Sequence, residues 1–482
     1  MLKRESLTKN FAFQFLYQVI ILVIPLILSP FLTRTLQETA LGTYSYVNSI
    51  AYYFVVLANL GISRHGQRII ARNSDNEIEL RKSFWSLFLL HIIISLTFTL
   101  IYFLYISIIV KEDTVIYIIE TFYVLSALFD ITWLFYGLEN FKSVVIKNGA
   151  VKIIECALIF AVVRTPSDLW KYTLISAAGI FIGQFVMIPQ AIRLVKPIKF
   201  TCADCKQHVK PLLVFSISVI AATLYTVFDK TLLGILATKD DVAFYEYSNR
   251  IISVPKTVVS VIGTVMYPRA CKMAANGDMA GQKRYIRYSI FFTALIGLGS
   301  IFGLCAVSQL FSDIYFGPSF APCGSVMIAL SPLVYIIGIG EIVRTQYMLP
   351  NGMEKQFNIC TIISAVINIA LSAALIPVVG IYGAIIGTLS AELFGLVYQL
   401  ILCRNFIKAK QIISNTTPFI VIGLVMFIII KSVSLMMPDT VWGLLIELAI
   451  GASVYLILTV LYMCLWKKDL WFAIMAKLPI NK

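Results

Sequence analysis

The sequence predicts an all-α integral membrane protein of about 14 transmembrane helices, grouped as two six-helix bundles and a C-terminal helix pair. Three observations predict it. Hydrophobic residues make up 59% of the 482 and charged residues 13%, with a mean hydropathy of +0.87, far from the roughly half-apolar, quarter-charged balance of soluble domains. Apolar runs of the ~20 residues needed to cross a hydrocarbon core ~30 Å thick follow one another almost end to end. Lysine and arginine concentrate in every second break between those runs, as expected when basic loops stay on the inner side of the membrane.

In order, the spans of the first half are expected over 11–33, 41–61, 84–110, 115–137, 144–163 and 172–192. The opening run is too long for a signal-peptide core and lacks a small-residue cleavage site, so it reads as a retained span. The second half is expected to cross over 212–236, 242–268, 288–311, 322–345, 357–378 and 380–403, and a last pair over 417–437 and 441–466. The bundles are therefore 1–200 and 201–410, with the pair in 411–482. The inner breaks carry most of the basic residues, among them Lys3, Arg4, Arg64, Arg68, Arg72, Arg193, Lys283, Arg404, Lys468, Lys477 and Lys482. The outer breaks hold only Arg34, Lys111, Arg164, Lys171 and Lys239. Both termini are accordingly inside, and the net charge of +14 is accounted for by the anionic inner leaflet with no nucleic acid as partner.

A faint internal repeat supports the two bundles. LGTYSYVN at 41–48 and VAFYEYSN at 242–249 share Tyr44 with Tyr245, Tyr46 with Tyr247 and Asn48 with Asn249, at a constant offset of 201. Each segment lies just inside the second span of its half. An even number of spans separates them, so the repeats run parallel, an organisation of transporters that bind substrate between repeats.

Enzyme signatures are missing: there is no G-x-x-x-x-G-K-[ST] loop and no H-E-x-x-H, and His65, His91 and His208 are far apart in the sequence. No loop is long enough to form a catalytic domain. The nine cysteines are scattered and imply no disulfide framework. Cys202, Cys205 and His208 resemble half a zinc site with no second ligand pair, so neither a metal nor a cofactor is expected. Trp133, Phe135 and Tyr136 either line a path or anchor the membrane interface, and the interfacial role is the one favoured.

Charges within the spans carry what chemistry there is, because each costs about 2.5–3.5 kcal/mol on insertion scales. Lys152 and Glu155, Glu246 and Arg250, and Glu341 and Arg344 are spaced to share a helix face. Asp229 and Lys230, in FDKTLLG at 228–234, are adjacent and point about 100° apart, toward different neighbours. By helical rise, Asp229 and Lys230 lie roughly 10 Å and Arg250 roughly 12 Å from the outer ends of their spans. With Arg34 at the outer end of the first span, they suit an outward-facing cationic cavity. Arg344 falls near the inner end of its span. It is equally an entry site or an inner-loop anchor. Asp130, Glu392 and Glu447 are candidates for ion coupling or for interhelical hydrogen bonds. Pro25, Pro30, Pro255 and Pro332 supply bends, and Gly383-x-x-x-Gly387 a close helix contact.

The segments FQFLYQVIILVIPLILSPFLTRTL, LGTYSY, YYFVVLANLGISRHGQRIIA, DITWLFYGLENFK and FDKTLLG resemble the Wzx-type oligosaccharide flippases of the superfamily that includes the MATE exporters. That resemblance implies a MATE-like fold in the bacterial cytoplasmic membrane. It implies transfer of undecaprenyl-pyrophosphate-linked repeat units to the outer leaflet, for capsule, exopolysaccharide or O-antigen-type polymers. The cationic residues Arg34, Lys230, Arg250, Lys256 and Arg344 would then face the pyrophosphate. Asp229, Glu246, Glu341, Asp130 and Glu392 would serve as counter-ions or in ion coupling. Expected partners are membrane lipids and the polymerase and glycosyltransferases of the same pathway, with the flippase itself a monomer. The alternative is a MATE-like exporter of small molecules.

Overall fold

A computed structural model describes residues 7–467, with side chains from Gln18 onward except at six positions between 217 and 225. The terminal basic residues Lys3, Arg4, Lys468, Lys477 and Lys482 lie outside the described residues. Every element among the described residues is helical, which satisfies the backbone within each segment, as hydrocarbon demands.

The chain divides into two compact units, one ending at Ala243 and one beginning at Phe244. The first starts with α1 (Leu7–Asn59), whose helical path is interrupted at Gln37 (φ 63°). This break separates the first two expected spans. Beside Pro25 and Pro30, the hydroxyls of Ser29 and Thr33 donate to the carbonyls of Pro25 and Ser29, at 2.6 and 3.0 Å. Leu60 and Gly61, both at positive φ, turn the chain into α2 (Ile62–Asn73). A Cβ on Gly61 would lie 2.9 Å from that of Phe215, so glycine is needed there for contact as well as conformation.

The unit continues through α3 (Glu77–Ile108), α4 (Thr114–Ser126), α5 (Thr132–Gly137), α6 (Phe141–Val162), α7 (Leu169–Phe185), α8 (Ile188–Leu194) and α9 (Cys202–Leu236). Asn76 caps α3 through the amides of Ile78 and Glu79. A capping box of Thr201 and Asp204 starts α9 at Cys202, well before the 212 expected from hydropathy, and so places His208 on the helix. Around α1 pack α3, α4, α6 and α9, while α2 contacts α3, α5 and α9.

Trp133 and Phe135 differ from the interfacial expectation. Both are fully buried, in a core with Ile62, Ile70, Phe84 and Leu212. Asp130 ends the preceding helical stretch, and the short α5 then packs along α2. Gly66 meets the Trp133 ring face directly.

The second unit holds most of α10 (Lys239–Ala275), then α11 (Met279–Tyr315), α12 (Pro322–Leu330) and α13 (Leu333–Val343). A π turn over Arg344–Met348 follows. Next come α14 (Glu354–Val379), α15 (Ile381–Leu402), α16 (Ala409–Ser434) and α17 (Val441–Trp466). The pair α16 and α17 packs on α11 around Phe291, Phe419, Met426 and Tyr455. Gly383 and Gly387 bring α15 against the backbone of α14 at Ile376 and against Ser372, the close contact that small residues allow.

Eleven stretches of the described residues are long and apolar enough to cross a membrane. The first, Gln18–Asn73, contains both opening spans, while α6 and α9 occupy the positions of the expected fifth and seventh. The protein is a multi-pass, all-helical membrane protein of the expected class.

Candidate functional site

Three charge pairs spaced on single helices form as ion pairs. Lys152 and Glu155 meet at 2.8 Å on α6, Arg250 and Glu246 at 3.0 Å on α10, and Arg344 bonds Glu341 at the junction of α13 with the π turn.

In the second unit these charges gather around α10. Lys256, one residue after Pro255, donates from Nζ to Oδ1 of Asn249 at 3.0 Å. Glu392 of α15 acts electrostatically on both Lys256 and Arg344. Arg344 also lies over the Phe357 ring, 5.2 Å from its centroid. Gly263 brings α10 close to Glu341, a Cβ there falling 2.7 Å from Glu341 Cγ. Lys256 of α10 and Arg344 of the π turn, both half-buried, are thus linked by the electrostatic influence of Glu392, while Glu341 of α13 pairs with Arg344 and lies against α10 at Gly263. A π turn at Arg344 breaks the regular ladder, as is frequent at functional positions. The Glu246–Arg250 pair stands about 9 Å further along α10 by helical rise, where Arg250 covers the Tyr247 ring at 4.4 Å.

In the first unit, Asp229 of α9 is buried and Lys230 half-buried. Asp229 acts on Tyr53 of α1, and the next-but-one residue, Thr231, hydrogen-bonds Ser49 and Tyr53, both at 3.1 Å. Gly234 seats the Tyr46 ring directly, so FDKTLLG is a docking strip for α1. Arg34 is exposed on α1. Asp130 accepts from the amide and hydroxyl of Thr132, at 3.1 and 2.6 Å, and acts on His91 and Lys147. Glu447 is buried in α17.

Two features escape the sequence pattern. Glu120 of α4 is 1% exposed, with both carboxylate oxygens facing Nδ2 of Asn48 at 3.3 and 3.4 Å. No basic residue lies three or four positions from it, so spacing alone gives no signal. The other is a pair of imidazoles. His65 Nε2 and His208 Nδ1 are 2.9 Å apart, and His208 Nε2 is 3.1 Å from Ser86 Oγ. Both rings of the half-zinc motif's only histidine partner and its neighbour are thus engaged in hydrogen bonds. Both lie beside a basic segment of the first unit, His65 between Arg64 and Arg68 and His208 between Lys206 and Lys210. Burial, then the proximity of the other imidazole, pushes His208 down to about 4; burial, then Arg68, lowers His65.

A multi-pass helical protein with ionisable groups inside its spans has the make-up of a membrane transporter. The model of the family described as "Polysaccharide biosynthesis protein" matches residues 7–274, and the chain belongs to that family. This agrees with the resemblance to Wzx-type proteins. A protein of Shigella dysenteriae named for O-antigen transport is 25% identical over 404 residues, covering 81% of this chain and 98% of its own. One of Escherichia coli K12 with the same name is 21% identical over 406 residues, covering 83% and 97%. Among solved structures, the lipid II flippase MurJ in an inward closed conformation aligns with a TM-score of 0.77 at 15% identity, covering 96% of this chain and 99% of that one. An inward-facing multidrug MATE transporter of the MOP superfamily aligns at 0.58 and 12%, covering 83% and 96%. Both share the fold. The protein is a multi-pass component of the bacterial cytoplasmic membrane.

Proposed function

We propose that this protein is a flippase that moves undecaprenyl-pyrophosphate-linked oligosaccharide repeat units from the inner to the outer leaflet by alternating access, for the assembly of a surface polymer. The observation that carries the reading is the presence in one unit of two half-buried cations, Lys256 bonded to Asn249 at 3.0 Å and Arg344 paired with Glu341, both under the electrostatic influence of Glu392. Two cations inside the membrane-spanning part of one unit match the two phosphoryl groups of a lipid diphosphate. Arginine supplies a planar fork for phosphate oxygens and lysine a compact point charge. Arg250 would extend the cationic site of that unit, and Arg34 and Lys230 would offer phosphate contacts in the first unit. Asp229, Glu246 and Glu341 would hold these cations in place when no substrate is bound, and Asp130, beside Lys147 and His91, would serve ion coupling.

Family membership and the names of the two relatives favour a glycan substrate over a drug. The repeat supports two moving halves, expected at 1–200 and 201–410, with 411–482 as an accessory pair; α9 packs on α1 and would move with the first unit, which ends at Ala243. The protein would act as a monomer alongside the polymerase and glycosyltransferases that consume and supply its substrate.

The test is leaflet exposure of labelled lipid-linked glycans in a strain lacking the protein. Confinement to the inner leaflet, reversed by the wild type but not by Lys256→Ala or Arg344→Ala, is expected. Normal exposure without the protein, together with raised drug sensitivity, would replace this reading with a small-molecule exporter.

A further inference from the structure

We infer that Glu120 is a proton-binding site of the first unit, and that taking up and releasing its proton is coupled to the transport cycle; the coupling rests on the flippase reading above. Glu120 sits in the middle of α4, in the run TVIYIIETFYVLS. Among the described charges inside the spans, the carboxylates of Glu155, Glu246 and Glu341 each have a cation at ion-pair distance. Glu120 has an amide instead.

The elements packed against α4 are α1, α3 and α7 and the short turn over Ala127–Phe129. From α3, Tyr102 faces Glu120, but its hydroxyl is already donated to the Tyr117 carbonyl at 3.0 Å. From α4 itself, Tyr123 lies near it, with Tyr52 of α1 beyond. Tyr46 of α1 belongs to the same tyrosine group, with Tyr105 and Tyr117. On α7, Lys171 is bound to Asp168 at 2.6 Å and Tyr172 lies against Tyr44. The turn contributes no titratable side chain. The rest of the surroundings is the apolar cluster of Val47, Ile50, Ala51, Ile106, Ile116 and Val124. One amide donor does not compensate an ionised carboxylate removed from water. The closed pocket therefore accommodates the neutral acid, and the carboxylate requires that the pocket open to water.

The internal repeat makes this position more than a stray acid. Asn48 and Asn249 are equivalent across the 201-residue offset. The first offers its N–H to Glu120 and the second its carbonyl oxygen to Lys256. Each unit thus uses the same amide to hold one ionisable group, an acid in one and a base in the other. Asn48 also adjoins Ser49, which holds Thr231 beside Asp229 and Lys230. A change in the charge of Glu120 acts on the α1 segment to which the charged strip of α9 is docked. In the cycle, the carboxylate takes a proton from the outer water to become the acid, and the acid returns that proton to the inner water. One proton moves inward for each reset.

Two measurements on the full-length protein in liposomes test this separately. Infrared spectroscopy of the wild type should show the carbonyl band of a protonated carboxyl shielded from water, lost in Glu120→Gln and shifted in Glu120→Asp. An unchanged band in both variants overturns the proton site, whether or not the protein flips anything. In the second measurement, outer-leaflet exposure of undecaprenyl-pyrophosphate-linked glycan is followed under an imposed proton gradient. With one proton per cycle, each pH unit shifts the wild-type distribution about tenfold, and Glu120→Gln abolishes that response. A retained response in Glu120→Gln, or none in a wild type that flips, overturns the coupling alone. Absence of flipping by the wild type overturns the functional reading and the coupling with it, while the infrared result decides the proton site independently.

Discussion

Replacing Lys256 by methionine removes one cation and little else: the stem keeps its length and apolar volume, and only the ammonium that bonds Asn249 at 3.0 Å and faces Glu392 disappears. At an effective dielectric near 20, an ammonium about 4 Å from a phosphate oxygen gains about 4 kcal/mol of Coulomb energy. Desolvation and the partial surrender of Asn249 and Glu392 offset part of that. A charged hydrogen bond then nets about 1.5–3 kcal/mol, so Lys256→Met should weaken binding of an undecaprenyl-pyrophosphate lipid roughly 10- to 150-fold. Ligand-dependent thermal stabilisation of the purified protein measures it, because stabilisation follows ligand concentration over Kd. Lys431→Met serves as the control, since Lys431 is exposed in the last turn of α16. Glu392→Gln should act in the opposite direction, freeing both Lys256 and Arg344 for the ligand. Affinity of Lys256→Met within about twofold of wild type, or equal losses in Lys256→Met and Lys431→Met, would refute the cationic cluster as the phosphate site.

Two further expectations concern stability. His208 is held near 4 in the folded protein against an ordinary value of about 6.5, so between those values the unfolded chain binds protons that the folded one does not. Stability from this histidine is fully present above about pH 6.5 and is lost as pH falls toward about 4. Thermal unfolding in detergent between about pH 7 and about pH 5 should show that decline, and His208→Gln should flatten it; equal slopes in the two proteins would remove His208 as the cause. In Gly234→Val the new side chain meets the Tyr46 ring, and the ring also carries Lys239 Nζ at 3.7 Å, which resists its displacement. An overpacking cost of about 1–3 kcal/mol is expected, read as a lower melting temperature and relieved by adding Tyr46→Ser. No relief in the double variant would mean that the strain lies elsewhere.

Most of the helical layout was legible in the sequence because hydropathy over ~20 residues reports directly on the thickness of the bilayer. What hydropathy could not show are the places where backbone conformation or a cap, not apolarity, decides. The break in α1 falls at Gln37, with no glycine or proline in RTLQETA to announce it. The start of α9 at Cys202 comes from the Thr201–Asp204 box outside the apolar run, and the π turn at Arg344–Met348 has no composition of its own. Trp133 was misplaced for a related reason. An aromatic residue near a span end satisfies the interfacial pattern, yet a six-residue helix following Asp130 carries it into the core.

The site divides along a physical line. Glu246–Arg250, Glu341–Arg344 and Lys152–Glu155 were readable because helical spacing puts each pair on one face. Glu120 with Asn48, Lys256 with Glu392, and His65 with His208 were not, because their partners lie on other helices and 72, 136 and 143 positions away. The distinction matters for transport. An ion pair within one helix travels with that helix and stays closed through any rigid-body movement, so it lowers the cost of a buried charge without reporting motion. A pair between helices is made or broken when those helices shift, and its energy differs between conformations, which is what coupling requires. On the proposed reading, the interhelical Asn48–Glu120 bond and the electrostatic influence of Glu392 on Lys256 are the links through which a proton or a phosphate would be coupled to a change of conformation, and the intrahelical pairs would be fixed supports.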